Sequence, residues 1–130
     1  MKAWDTNFLV RHLTEDNSDQ LRVVRKELAK SERAGTFVWI SSVVVVETAW
    51  VLKAYGLEKS EVLDVLTRLC EDARFQFEAG NDLTTAIDRC RKAGDLPEHL
   101  AALSAIRSKK AKTQTFDRAV SSFSEFEVFR

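Results

Sequence analysis

The chain has 130 residues, 45% of them apolar and 31% charged, which is the size and make-up of one soluble globular domain and excludes a disordered or fibrous chain. Twenty lysines and arginines balance twenty aspartates and glutamates, so no overall positive field exists to hold nucleic acid by phosphate neutralisation alone, and any such contact must be local. Cys70 and Cys90 lack partners at metal-ligand spacing, which argues against a zinc site or a disulfide framework, and no apolar run reaches signal-peptide or membrane-spanning length, so a reduced, cytoplasmic setting is expected.

In chain order, Lys2 to Asp5 reads as a strand ending in an acid, and Asn7 to Leu13 as a short helix carrying Phe8, Leu9, Val10 and Leu13. Asn17, Ser18 and Asp19 have N-cap chemistry, and Leu21, Val24 and Leu28 recur at helical spacing until Gly35. Phe37 to Ile40 is a strand. Val43 to Ala54 draws two opposing signals. Four consecutive valines favour a strand, whereas the capping serines Ser41 and Ser42, the length, and Ala49, Leu52 and Lys53 favour a buried helix with Glu47 inside it, which is the reading adopted.

Ser60 to Cys70 and Asn81 to Lys92 each carry one apolar face and are expected helices, separated by a strand at Phe75 to Phe77. Gly94 closes the second of these. Pro97 stands where a first-turn proline belongs, with Leu100, Leu103 and Ile106 continuing at helical period. Lys112 to Phe116 reads as strand, Arg118 to Phe123 as a turn of helix and Phe126 to Phe129 as a last strand. Alternating strands and helices imply an α/β fold with a mostly parallel sheet flanked by helices on both faces. Residues 1–130 are expected to form one domain.

Ligands of open parallel sheets sit beyond the carboxyl ends of the strands, where Asp5 and Asp117 both fall. Glu47 lies in a segment otherwise made of Val, Ala, Trp and Leu, where an ionised carboxylate is costly unless it reaches the rim or is compensated by a cation. Glu98 occupies the first turn of its helix three residues after Asp95; an acid there is commonly only a helix-terminus residue, and its company raises its standing. Hard carboxylate oxygens in this number suit Mg²⁺, or Mn²⁺, which would activate a water towards a phosphodiester.

The opening Asp5-Thr6-Asn7-Phe8-Leu9-Val10 resembles the first motif of PIN domains. The resemblance extends to Ile40-Ser41 with Val46-Glu47 and Trp50-Val51-Leu52, to Gly94-Asp95 with Glu98 and Ala101-Ala102, and to Thr115-Phe116-Asp117-Arg118. In order and spacing these are similar to the VapC type of PIN-domain ribonuclease toxin over nearly the whole chain. The resemblance implies a three-layer fold, a Mg²⁺-dependent endoribonuclease, a cognate antitoxin that blocks the acidic site, and a homodimer. It makes Asp5, Glu47, Glu98 and Asp117 the four acids, with Thr6, Asn7, Ser41 and Thr115 as supporting polar groups. The third acid departs from the pattern, which more often has aspartate; Glu98 is one methylene longer, and Asp95 is the alternative ligand.

Other residues carry blander readings. His12 and His99 on ordinary helices are more often structural than general bases, His99 being the better candidate because it adjoins Glu98. Arg118 and Lys112 are candidates for RNA contact. The run Arg107, Lys109, Lys110 and Lys112 is commonly a solvated helix end. Trp4, Trp39 and Trp50 are expected in the core or at a subunit interface, and the two cysteines in the core. Two other classes compete. One is a PIN-fold binding module without turnover; the other, a receiver-like phosphotransfer domain, needs a second acid beside Asp5, which Thr6 and Asn7 do not supply.

Overall fold

The computed structural model describes all 130 residues, organised as two compact units, Met1–Glu78 and Ala79–Arg130. The first unit runs β1 (Lys2–Ala3), α1 (Thr6–Thr14), α2 (Ser18–Arg33), β2 (Val38–Ile40), α3 (Ser42–Ala54), α4 (Lys59–Glu71) and β3 (Phe75–Phe77). The second runs α5 (Asn81–Lys92), α6 (Leu96–Lys109), β4 (Thr113–Thr115), a 3-10 turn (Arg118–Val120) and β5 (Phe126–Val128).

In the first unit three strands pair in the order β1-β2-β3, all parallel, with Ala3 opposite Trp39 and Ile40 opposite Phe77. Parallel neighbours need crossovers, and α1 with α2, then α3 with α4, supply them. In the second unit β4 and β5 are parallel, with Thr115 opposite Val128. The mixed α/β class with parallel strands is therefore as expected.

Side-chain chemistry explains where the helices begin. Asn17 caps α2 by accepting from Gln20 N at 3.0 Å, and Ser41 caps α3 by accepting from Val44 N at 3.2 Å. Those caps decide the conflict over the four valines in favour of helix. The strands are shorter than expected: β1 stops at Ala3, two residues before Asp5, and β4 spans only Thr113–Thr115.

Leu9, Val24, Ile40, Val45, Leu66 and Phe75 are among the buried side chains of the first unit, and Leu83, Ala86, Ile87 and Cys90 line the inner face of α5 in the second. A further cluster forms from Ala102, Val120 and Phe126, with Phe123 and Val128 packed on it. One expectation is overturned. Helix α3 is not buried all round: Val45, Thr48, Ala49 and Leu52 face inward, whereas Val43 is 66% and Trp50 61% exposed. A thirteen-residue helix on the edge of a small unit presents one face to the core, and uniform hydrophobicity along the sequence hides which face that is. Trp4 is buried and Trp39 half-buried, so of the three tryptophans only Trp50 leaves the interior.

Candidate functional site

Asp5 and Glu78 of the first unit lie just beyond strand ends, and Glu47 lies within α3. Asp5 is the N-cap of α1, its Oδ1 accepting from Phe8 N at 2.9 Å, and it is exposed. Thr6 opens the helix and Asn7 follows it, half-buried and exposed respectively. Beyond β2 comes Ser41, the cap of α3, and beyond β3 comes Glu78, whose Oε1 accepts from Ser42 N at 2.9 Å. Glu78 is an acid that the sequence gives no reason to single out; its signal is only its place directly after a strand. Helix α3 packs on α1 and carries Glu47 on its exposed face. Glu47 thus stands at the rim, and no buried charge has to be explained there.

A cavity of about 190 Å³ is lined by Asp5, Asn7, Arg11 and Gln20 among others. Arg11 is held by Gln20 Oε1 at 2.6 Å and by Asp16 at 3.1 Å, and the Tyr55 hydroxyl donates to Asp16 at 2.8 Å. Hydrogen bonding from Tyr55 and Thr14 keeps the Asp16 carboxyl below the usual range. A larger cavity, about 630 Å³, runs along β1 and α2 and is lined by none of the candidate acids.

The second unit brings two candidate acids together. Asp95 caps α6 and Glu98 occupies its third position in a reciprocal capping box: Asp95 Oδ1 accepts from Glu98 N at 2.9 Å, and Glu98 Oε1 accepts from Asp95 N at 2.8 Å. Asp117 follows β4, accepts from Ala119 N at 2.9 Å, and donates its own N–H to Thr115 Oγ1 at 3.0 Å. Thr115 therefore supports Asp117 as a positioning hydroxyl. The Asp117 carboxyl lies close enough to Glu98 to act on its protonation. Burial pushes the Glu98 carboxyl above its ordinary range; the Asp95 N–H works against this, and the carboxyls of Asp117 and Asp95 add to the rise.

Within neither unit do three or more carboxylates, histidines or cysteines gather in a metal-holding group. The donor chemistry of the Glu98–Asp117 pair nonetheless fits a divalent cation, because hard oxygens that raise one another's proton affinity are relieved by a positive ion. Arg118 and Lys112 are exposed. Arg107, by contrast, pairs with both oxygens of Asp82 at 2.7 and 2.5 Å, which gives this member of the basic run a structural task. Two residues take on surroundings that the sequence does not show. Gly94 reads there as a helix stop and part of the family motif and His99 as a general-base candidate, whereas the structure puts Gly94 where a Cβ would meet Glu98 Oε1 and ties His99 to the Ala93 carbonyl.

No helix is long and apolar enough to cross a membrane. No curated protein and no solved structure matches the chain. The family model for the PIN domain matches residues 3–124, spanning both units and all of the candidate acids. The chain therefore belongs to the PIN domain family, three-layer α/β/α domains that are generally nucleases and typically use divalent metal ions.

Proposed function

We propose that the chain is a Mg²⁺-dependent endoribonuclease of the VapC kind, the toxin of a toxin–antitoxin pair, with Mn²⁺ as a substitute ion. The observation that carries this reading is the Glu98–Asp117 carboxyl pair, one just beyond a strand end and the other at a helix start, close enough to raise the proton affinity of Glu98. Residues 1–130 count as one domain, and the acids assigned to metal binding are Asp5 and Glu47 in the first unit and Glu98 and Asp117 in the second. The interaction with Asp117 supports Glu98 over Asp95 as the third acid, and Glu98 is half-buried where Asp95 is exposed.

When bound, Mg²⁺ supplies a Lewis acid that acidifies a water and offsets charge on the attacked phosphate. The chain's own groups do the rest. Thr115 holds Asp117, Ser41 fixes the start of the helix bearing Glu47, and the Asp5 carboxylate is oriented by the Phe8 N–H. Thr6 and Asn7 offer polar groups beside Asp5, and Arg118 and Lys112 contact RNA phosphates. The exposed Val43 and Trp50 support a second copy as partner, and a cognate antitoxin would cover the acids.

The test is cleavage of total RNA by protein freed of partners, in Mg²⁺ or in EDTA. Asp5→Asn and Asp117→Asn should each lower cleavage about 100-fold or more, since metal stabilisation of several kcal/mol is at stake and 1.36 kcal/mol is tenfold. Asparagine still caps a helix, so Asp5→Asn removes charge without removing the start of α1. Full activity in either variant, or cleavage that survives EDTA, would sink the reading. The alternative, a PIN-fold binding module without turnover, is favoured by the engagement of Glu98 as a helix cap. It predicts partner binding with no metal-dependent cleavage on any RNA.

A further inference from the structure

The turn from α5 to α6 consists of Ala93 and Gly94 before the N-cap Asp95, and it is gripped at both carbonyls. Ala93 O lies 2.7 Å from His99 Nε2. A carbonyl can only accept, so Nε2 carries the proton and donates. Gly94 O accepts from Cys90 Sγ at 3.3 Å. His99 is 1% exposed, and its ring stands edge-on to Phe123 and Phe126, with centroids 4.9 and 5.6 Å away. The imidazole therefore cannot swing away from the turn without opening the aromatic cluster.

The glutamate rests on the same turn. Gly94 has φ +85°, and a methyl group on its Cα would stand 2.7 Å from Glu98 Oε1, 2.7 Å from Val120 Cγ1 and 2.8 Å from His99 Nε2. The Glu98 carboxylate is thus backed by bare backbone whose place is set by His99. Val120 ends the 3-10 turn that Asp117 begins, so the same few atoms bear on both acids. A glutamate has one more rotatable bond than an aspartate, and placing its oxygens beside Asp117 requires that the extra freedom be removed.

We propose that His99 is a positioning residue for Glu98: its Nε2–H···O=C bond to Ala93 holds the Ala93–Gly94 turn that seats the glutamate carboxylate against Asp117. The functional part of this rests on Glu98 being a metal ligand; the positioning part does not.

Two measurements on the full chain separate them, amide hydrogen exchange without metal and Mn²⁺ affinity by calorimetry, for the wild type, His99→Leu and His99→Gln. In His99→Leu the Asp95 and Glu98 amides should exchange about tenfold faster or more, and Mn²⁺ should bind about tenfold more weakly, the usual scale for loss of a group that orients a ligand. His99→Gln, whose side-chain amide donates from nearly the same place, should recover both even where its melting temperature stays lowered. Unchanged protection at Asp95 and Glu98 in His99→Leu, or equal loss in the two variants, overturns the proposal. A wild type that binds no Mn²⁺ overturns the metal-ligand reading, while the exchange data still decide the role of His99. If His99→Leu does not fold, His99→Asn takes its place: it keeps a polar side chain too short to reach Ala93, and the same outcomes decide.

Discussion

His12 lies among aromatic rings, with centroids 5.8 Å from Trp4 and 5.5 Å from Phe75, and its pKa is lowered, mainly by burial and further by Arg74. Asp72, Glu15 and Arg25 also face it, the two acids opposing the shift and Arg25 adding to it. A histidine whose folded pKa is depressed binds more protons unfolded than folded, so it favours folding above its unfolded value and that contribution is lost as pH falls. The Asp72 carboxyl, held down chiefly by its bond to Arg74, has the same sign at lower pH. Stability should therefore decline as pH drops below about 6.5, the ordinary histidine value. In His12→Asn the decline between neutrality and pH 5 should flatten, read as urea midpoint against pH, whereas an unchanged slope would remove His12 as its source. His99 is more deeply buried than the half-buried His12, and its Nε2–H donates to the Ala93 carbonyl. Two histidines that look alike in the sequence thus have different surroundings, aromatic rings and charged neighbours for His12 and a backbone carbonyl for His99.

Helix starts organise the candidate chemistry. Asp5 caps α1, Asp95 and Glu98 cap each other at α6, Asp117 caps the 3-10 turn, and Ser41 caps α3. Each of these residues is explained once by backbone N–H groups that need acceptors, before any metal is invoked. The overlap has a physical reason: a helix start gathers unpaired donors that orient a carboxylate while leaving its other oxygen available. Ser41→Ala tests the purely structural share, because the serine lacks a carboxylate. It should lower stability by about 1 kcal/mol, seen as a fall in melting temperature, with Mn²⁺ affinity falling only if the start of α3 also places Glu47. Among the elements, the capping serines and asparagine were legible because their partners lie three residues away. The exposed face of α3 was not, since Val43–Val46 look equally apolar in every direction and only packing on α1 and α4 decides which of them face inward.

At the scale of the whole molecule, Trp4, Trp39 and Trp50 all fall within Met1–Glu78, so their fluorescence reports on the first unit alone. Imidazole resonances of His99, between Phe123 and Phe126, report on the second. If residues 1–130 are one cooperative domain, as proposed, urea unfolding followed by tryptophan fluorescence and by the His99 resonance should give coincident midpoints. Separate midpoints would make the two units independent and count against one cooperative domain.

The amino-acid sequence by itself determined the order and type of the elements, the α/β class and the caps Asn17 and Ser41, because each depends on neighbours within a turn or on simple periodicity. It also carried the resemblance to PIN domains that the family match bears out. Tertiary structure decided what these could not. It put Glu47 on an exposed helix face, brought Asp117 close enough to act on Glu98, and set the Gly94 turn, tied to His99, beside the glutamate. Those contacts join β4, its following turn and the start of α6, and their formation depends on side-chain volume and hydrogen-bond geometry that no local pattern in the chain encodes.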